Sequence, residues 1–257
     1  MSLLRPGLHV VRRDDRHLQI GLDPPWRLVV PDDPDVQGVL DDLVAGRPPA
    51  PATPAGHRLL RDLGRADMFR PGQQPLAGAV SVTGAAGPAA EVQRQLRAAG
   101  LDPGPVDRAD LVIVVAAGEP PRDLVDEQLR SGRPHLVVGA GARGFRVGPL
   151  VVPGTTAYLR CIDAHLGEHD PRRGVVVEQL AGRTADPEEP VLEALAVTWA
   201  VRDALRYLAG AAPSTWSATI ELDVERDPQR REWARHPHCG CSWAHPHEAT
   251  DRPVSAE

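Results

Sequence analysis

Apolar positions follow two different rhythms along this chain. Up to residue 75, short alternating runs read as strands over 9–13, 17–22 and 27–30, parted by Asp14-Asp15 and Pro24-Pro25. From Asp35 the spacing changes to threes and fours, and Val36, Val39, Leu40 and Leu43 mark a helix that closes at Gly46. The Pro-rich stretch 47–56 interrupts the pattern, and 57–69 carries a second helix through Leu59, Leu60, Leu63 and Met68. Three strands and two helices in so short a span predict a small winged-helix-like α+β module.

Beyond residue 76 the elements alternate. A short strand is expected at 79–83, a turn at 84–88, a helix at 89–99, a strand at 110–116, a helix at 121–131 and a strand at 135–139. The run 110–116 is apolar without a break, as in a parallel strand covered on both faces. This βαβαβ order predicts an α/β fold, a Rossmann-like doubly wound domain with a parallel sheet. Further along come strand-like 146–152, an irregular stretch, a helix at 191–208 and a strand at 216–224. In that helix Leu192, Leu195, Trp199, Ala200 and Leu208 read as core packing. The resulting division is 1–75, 76–243 and a flexible polar tail at 244–257.

Composition narrows the classes. Hydrophobic residues make up 42% of the 257 positions and charged residues 25%, so a folded globular protein is expected. The net charge of −6 speaks against a general nucleic-acid binder. No apolar run approaches the ~18–20 residues of a membrane span, and residues 1–15 have no signal-peptide apolar core. With three Cys, an odd number for a disulfide framework, the expected compartment is the reducing cytoplasm. All 29 basic residues are Arg. Coding bias accounts for that, but its consequence is chemical: neither a Schiff-base Lys nor a phosphate-binding Lys is available.

Two segments carry candidate chemistry. The turn VTGAAGPAAEV aligns Gly84, Ala86 and Ala89 with the three glycines of a nucleotide-binding Gly-x-Gly-x-x-Gly. Only the first glycine is kept, and each methyl narrows the room for a phosphate. Asp102 and Asp107 are the acids available for a ribose. The second segment is thiolate chemistry: Cys161 in TTAYLRCIDAH, and Cys239 with Cys241 in HPHCGCSW. Thiolates from distant segments suit a structural zinc ion, with the fourth ligand to come from His165, His236, His238, His245 or His247. The candidate set is Cys161, Cys239, Cys241 and His238. The alternative is an ordinary buried thiol and an unligated Cys pair. No G-x-S-x-G nucleophile elbow occurs, and a zinc hydrolase with an open coordination position lacks any HExxH motif to support it.

The glycine turn, the GRPHLVVGAG strand, VGPLVVPGTTAYLRCIDAH and the late Cys pair resemble the ThiF/MoeB/HesA superfamily of ubiquitin-activating-enzyme-like adenylyltransferases. They are most similar to its ocin-ThiF-like, cyclodehydratase-associated members in thiazole/oxazole-modified peptide (bacteriocin) biosynthesis. The match covers most of the chain, strongest over 133–170 and 215–243 and weakest over 100–110. The resemblance implies a leader-peptide clamp in the N-terminal module. By β-augmentation the clamp would use Leu28, Val29 and Val30, faced by Val39, Leu40 and Leu43. It also places the family's first Cys pair on Tyr158 and Cys161, and its second on Cys239 and Cys241. Tyr158 ligates zinc poorly, since a phenol stays protonated to about pH 10. The family's ATP-binding Lys has no counterpart, so the expectation is a catalytically degenerate protein that binds a peptide, a cyclodehydratase or a second copy of itself. The alternative is an active ATP-dependent adenylyltransferase relying on Arg alone.

Overall fold

The computed structural model describes residues 3–70, 78–141, 143–185 and 189–240. The chain divides into two compact units, Met1–Pro75 and Leu76–Glu257.

In the first unit, β1 (Val10–Arg12), β2 (His17–Ile20) and β3 (Leu28–Pro31) form an antiparallel sheet in that order, followed by α1 (Pro34–Val44) and α2 (Pro54–Arg65). Each helix starts with a polar cap and then a proline: Asp33 accepts from the Asp35 and Val36 amides, and Thr53 from Ala55 and Gly56. Pro54 is thus the first residue of α2, which begins ahead of the expected 57. Asp35 ties the two helix starts together by accepting from the Ala52 amide (2.9 Å), the Thr53 amide (2.9 Å) and Thr53 Oγ1 (2.7 Å). Beneath them Ile20, Val36, Leu40, Leu43, Leu63 and Met68 form the core.

The second unit is built on a six-stranded sheet: β4 (Val80–Gly84), β5 (Leu111–Val115), β6 (His135–Gly141), β7 (Gly144–Val151), β8 (Ala218–Asp223) and β9 (Arg226–Glu232). The first three strands are parallel and the last three continue antiparallel. The α/β fold is therefore as expected, with a mixed sheet in place of a wholly parallel one. Helix α3 (Ala86–Ala98) joins β4 to β5 through the one-turn 3-10 helix Val106–Arg108, and α4 (Arg122–Arg130) joins β5 to β6. Helix α7 (Pro190–Leu208) packs with α3 over Ile113, Leu136 and Val138. On the opposite face Val125 of α4 meets Val137 and Leu159. That alternation explains why β5 is buried at all five positions. The stretch expected to be irregular contains α5 (Leu159–Gly167) and α6 (Arg173–Leu180).

A buried carboxylate anchors the entry to β8. Asp203 of α7, fully buried, accepts from Ser214 Oγ (2.8 Å), the Thr215 amide (2.8 Å) and Thr215 Oγ1 (2.7 Å). Among the described residues no helix is long and apolar enough to cross a membrane.

Candidate functional site

The parallel strands β4, β5 and β6 end on one side of the sheet, where open α/β folds bind ligands. Gly84 closes β4 with φ +117°, and a Cβ there would stand 1.8 Å from the Val115 carbonyl oxygen, so only glycine fits. The Ala85 amide donates to that same oxygen at 2.8 Å, fastening the turn to β5. Ala86 begins α3, and Pro88 in the first turn has no amide hydrogen to offer an anion. Ala89 is buried against the core. The cavity beside this turn, bounded by Pro88, Val115, Phe145 and Glu193, holds only about 100 Å³. Small-molecule sites run to roughly 300–1,000 Å³. Asp102 is occupied in a surface pair with Arg97, and Asp107 lies in the 3-10 helix.

A larger cleft of about 270 Å³ opens at the ends of β6 and β7, between Glu119, Gly139, Arg143, Arg146, Glu221 and Asp223. Its wall is held by Arg122, 4% exposed, which donates to Asp163 (2.6 and 2.9 Å) and Glu119 (2.6 Å). The charges around it are paired, Arg143 with Asp223 and Glu225 and Arg146 with Glu119 and Glu221. These two guanidiniums face four carboxylates, so the cleft has no preference for an anion.

Two of the three thiols lie together. Cys161 is buried on α5, Cys239 lies half-buried after β9, and their sulfurs are 3.5 Å apart. Two thiolates on one tetrahedral zinc, with Zn–S at ~2.3 Å, stand about 3.8 Å apart, so the spacing suits a shared ion. Tyr158 is buried beside them, and its hydroxyl accepts from the Gly154 amide. Cys241 falls outside the described residues, as does the tail 244–257. His238 is exposed, and its amide donates to His236 Nδ1 at 3.1 Å. Among the described residues, the group placed to hold a metal through His and carboxylate atoms is His165, Glu168 and His236. Sequence reasoning named both histidines and missed Glu168, although His165-x-x-Glu168 puts the two on one helix face. Glu168 is held below the usual carboxylate range, first by its hydrogen bond from His236.

In the first unit β3 is an edge strand. Pairing of Asp32 with Arg16 directs Leu28 and Val30 toward β2, which leaves the Val29 N–H and C=O on the outer side. Val29 is 41% exposed and Leu28 partly so, whereas Val30 is buried. Val39, Leu40 and Leu43 are each 1% exposed and serve as core. The helix that runs beside β3 is α2.

The architecture is a Rossmann-like α/β unit preceded by a small α+β unit. No protein-family model matches the chain and no curated protein matches it, but solved structures share its fold. The heterocyclase TruD superposes with a TM-score of 0.73 at 16% identity, over 93% of this chain and 42% of that one. A heterocyclase in complex with substrate and cofactor gives 0.70 at 15%, over 93% and 39%. MccB of E. coli, with AMPCPP and SeMet MccA, gives 0.63 at 13%, over 94% and 99%. The chain thus spans about two fifths of the length of these heterocyclases. At such identities the likeness is one of fold, and at that level the resemblance read from 133–170 and 215–243 is borne out.

Proposed function

We propose that the chain is a peptide- or protein-binding scaffold of ThiF-like fold that serves thiazole/oxazole-modified peptide cyclodehydration, its residues 1–75 acting as a leader-peptide clamp and 76–243 as a non-adenylating body. The observation that carries this is the edge position of β3, where the Val29 amide and carbonyl face away from β2, next to exposed apolar surface and with no strand beyond them among the described residues. An extended peptide adds to such an edge through main-chain hydrogen bonds, and side-chain contacts select its sequence. The loss of adenylation is supported by the Ala-substituted turn, by Pro88 and by the small cavity beside them. The Cys pair, with Cys241 and His238, would serve as a zinc knot holding the segment after β9 to α5. A cytoplasmic homodimer or a complex with a cyclodehydratase is the assembly we expect.

Val29→Pro tests the clamp, because proline removes the outward amide. A fluorescent synthetic leader peptide is expected to bind the full chain and to bind the variant at least tenfold more weakly, with unchanged circular dichroism. Equal binding overturns the clamp. Calorimetric titration with ATP·Mg is expected to be silent at millimolar nucleotide. Binding together with ATP–pyrophosphate exchange would make the protein an active adenylyltransferase.

A further inference from the structure

We propose that His165, Glu168 and His236 form a site for a divalent transition-metal ion, one helical turn from Cys161 and with no sulfur in its ligand set. One ligand atom from each residue lies within 4.8 Å of the others. His165 and Glu168 come from the end of α5, and His236 from the segment after β9. Zinc takes nitrogen and carboxylate oxygen at roughly 2.0–2.2 Å, so neighbouring ligands on one ion stand about 3–3.5 Å apart. His236 and Glu168 already meet that spacing at 3.0 Å. Glu168, 60% exposed in its side chain, has room to draw the set together, while His236 is 8% exposed and fixed.

The surroundings are those of a metal-binding histidine pair. His165 Nε2 faces the Ala234 carbonyl at 3.0 Å. A carbonyl only accepts, so Nε2 carries the hydrogen and Nδ1 the lone pair, the kind of outer contact that orients a metal-ligating ring. Trp233 stacks on His165 at 6.2 Å between ring centroids, and the His236 ring meets it edge-on at 4.8 Å. In His236, Nδ1 accepts the His238 amide while Nε2 carries the proton shared with the Glu168 carboxylate. That proton sits where the ion goes. A metal on Nε2 moves it to Nδ1, which turns from acceptor to donor, and the His238 amide must swing away. No proton leaves the protein, and loading is coupled to the turn that carries Cys239. Three protein ligands leave a position open to water or a small ligand.

Metal-stripped full-length protein titrated with cobalt(II) decides the matter. The Cys161→Ser/Cys239→Ser variant is expected to bind one cobalt without a thiolate-to-metal charge-transfer band, and the His238 amide resonance is expected to shift on loading. His165→Ala and Glu168→Gln, changes at half-exposed or exposed positions, are expected to weaken that cobalt at least tenfold. If both bind cobalt with the stoichiometry and affinity of the parent protein, or if the His238 amide is indifferent to it, the site is refuted.

Discussion

Acidification should destabilise the second unit through His135. This residue opens β6 and is fully buried, its Nδ1–H donating to the Arg133 carbonyl at 3.0 Å. Its Nε2 is buried with no hydrogen-bond partner among the described residues. Burial pushes the imidazole down to about 4, and neither the Arg133 carbonyl nor the Asp126 charge offsets that. In the unfolded chain a histidine titrates near ~6.5. The unfolded state therefore takes up the proton first as the pH falls, and stability that is fully present above ~6.5 drains away down to about pH 4. The difference amounts to about 2 kcal/mol by pH 5 and about 3 kcal/mol by pH 4. Urea unfolding followed by circular dichroism at pH 7.5, 6 and 5 measures it. His135→Asn keeps an N–H for the Arg133 carbonyl but cannot titrate, so its unfolding midpoint should fall much less over that range. An unchanged pH dependence in this variant would falsify the assignment.

Gly84→Ala places a methyl 1.8 Å from a backbone oxygen at positive φ. A loss of several kcal/mol, on the order of 3, is expected, and a melting temperature within a degree of the parent's contradicts it. Asp203→Ala strands the Ser214 and Thr215 donors ahead of β8, costing about 1–3 kcal/mol for each buried donor left without a partner. Chemical denaturation gives the value, and a loss below 1 kcal/mol refutes the anchor. Cys239→Ser should lower both zinc content and melting temperature, and if neither changes the structural-zinc reading fails. Asp35→Ala should lower the melting temperature of the first unit by freeing the start of α2 from α1, which thermal unfolding of the full chain resolves as a shift of one transition only.

Strand β5 was readable because five successive buried positions admit no alternation, and α1 because its four core residues keep helical spacing. The start of α2 was obscured because Pro54 punctuates a loop and opens a helix equally well, the choice resting on Thr53 before it. Strand β9 was invisible for a different reason. All seven of its residues are exposed, so pairing with β8, and no hydrophobic signal, makes it a strand. At the candidate site, the convergence of Cys161 with Cys239 followed from their chemistry across 78 positions of sequence. Glu168 escaped notice because an exposed glutamate at a helix end looks like any other. Val39, Leu40 and Leu43 were identified as apolar, but periodicity does not say whether an apolar face meets the protein's own core or a partner, and here it is core.

The brevity of β3 bears on solubility. An uncovered strand edge invites other chains to stack on it, and proteins blunt that risk by keeping such edges short or ending them in proline. Strand β3 does both, with four residues and Pro31 last. Any added strand finds only a few main-chain partners before the ladder stops, too few to seed a fibril. With so few main-chain bonds on offer, each one counts toward holding a guest, and its side chains must supply the rest of its residence time.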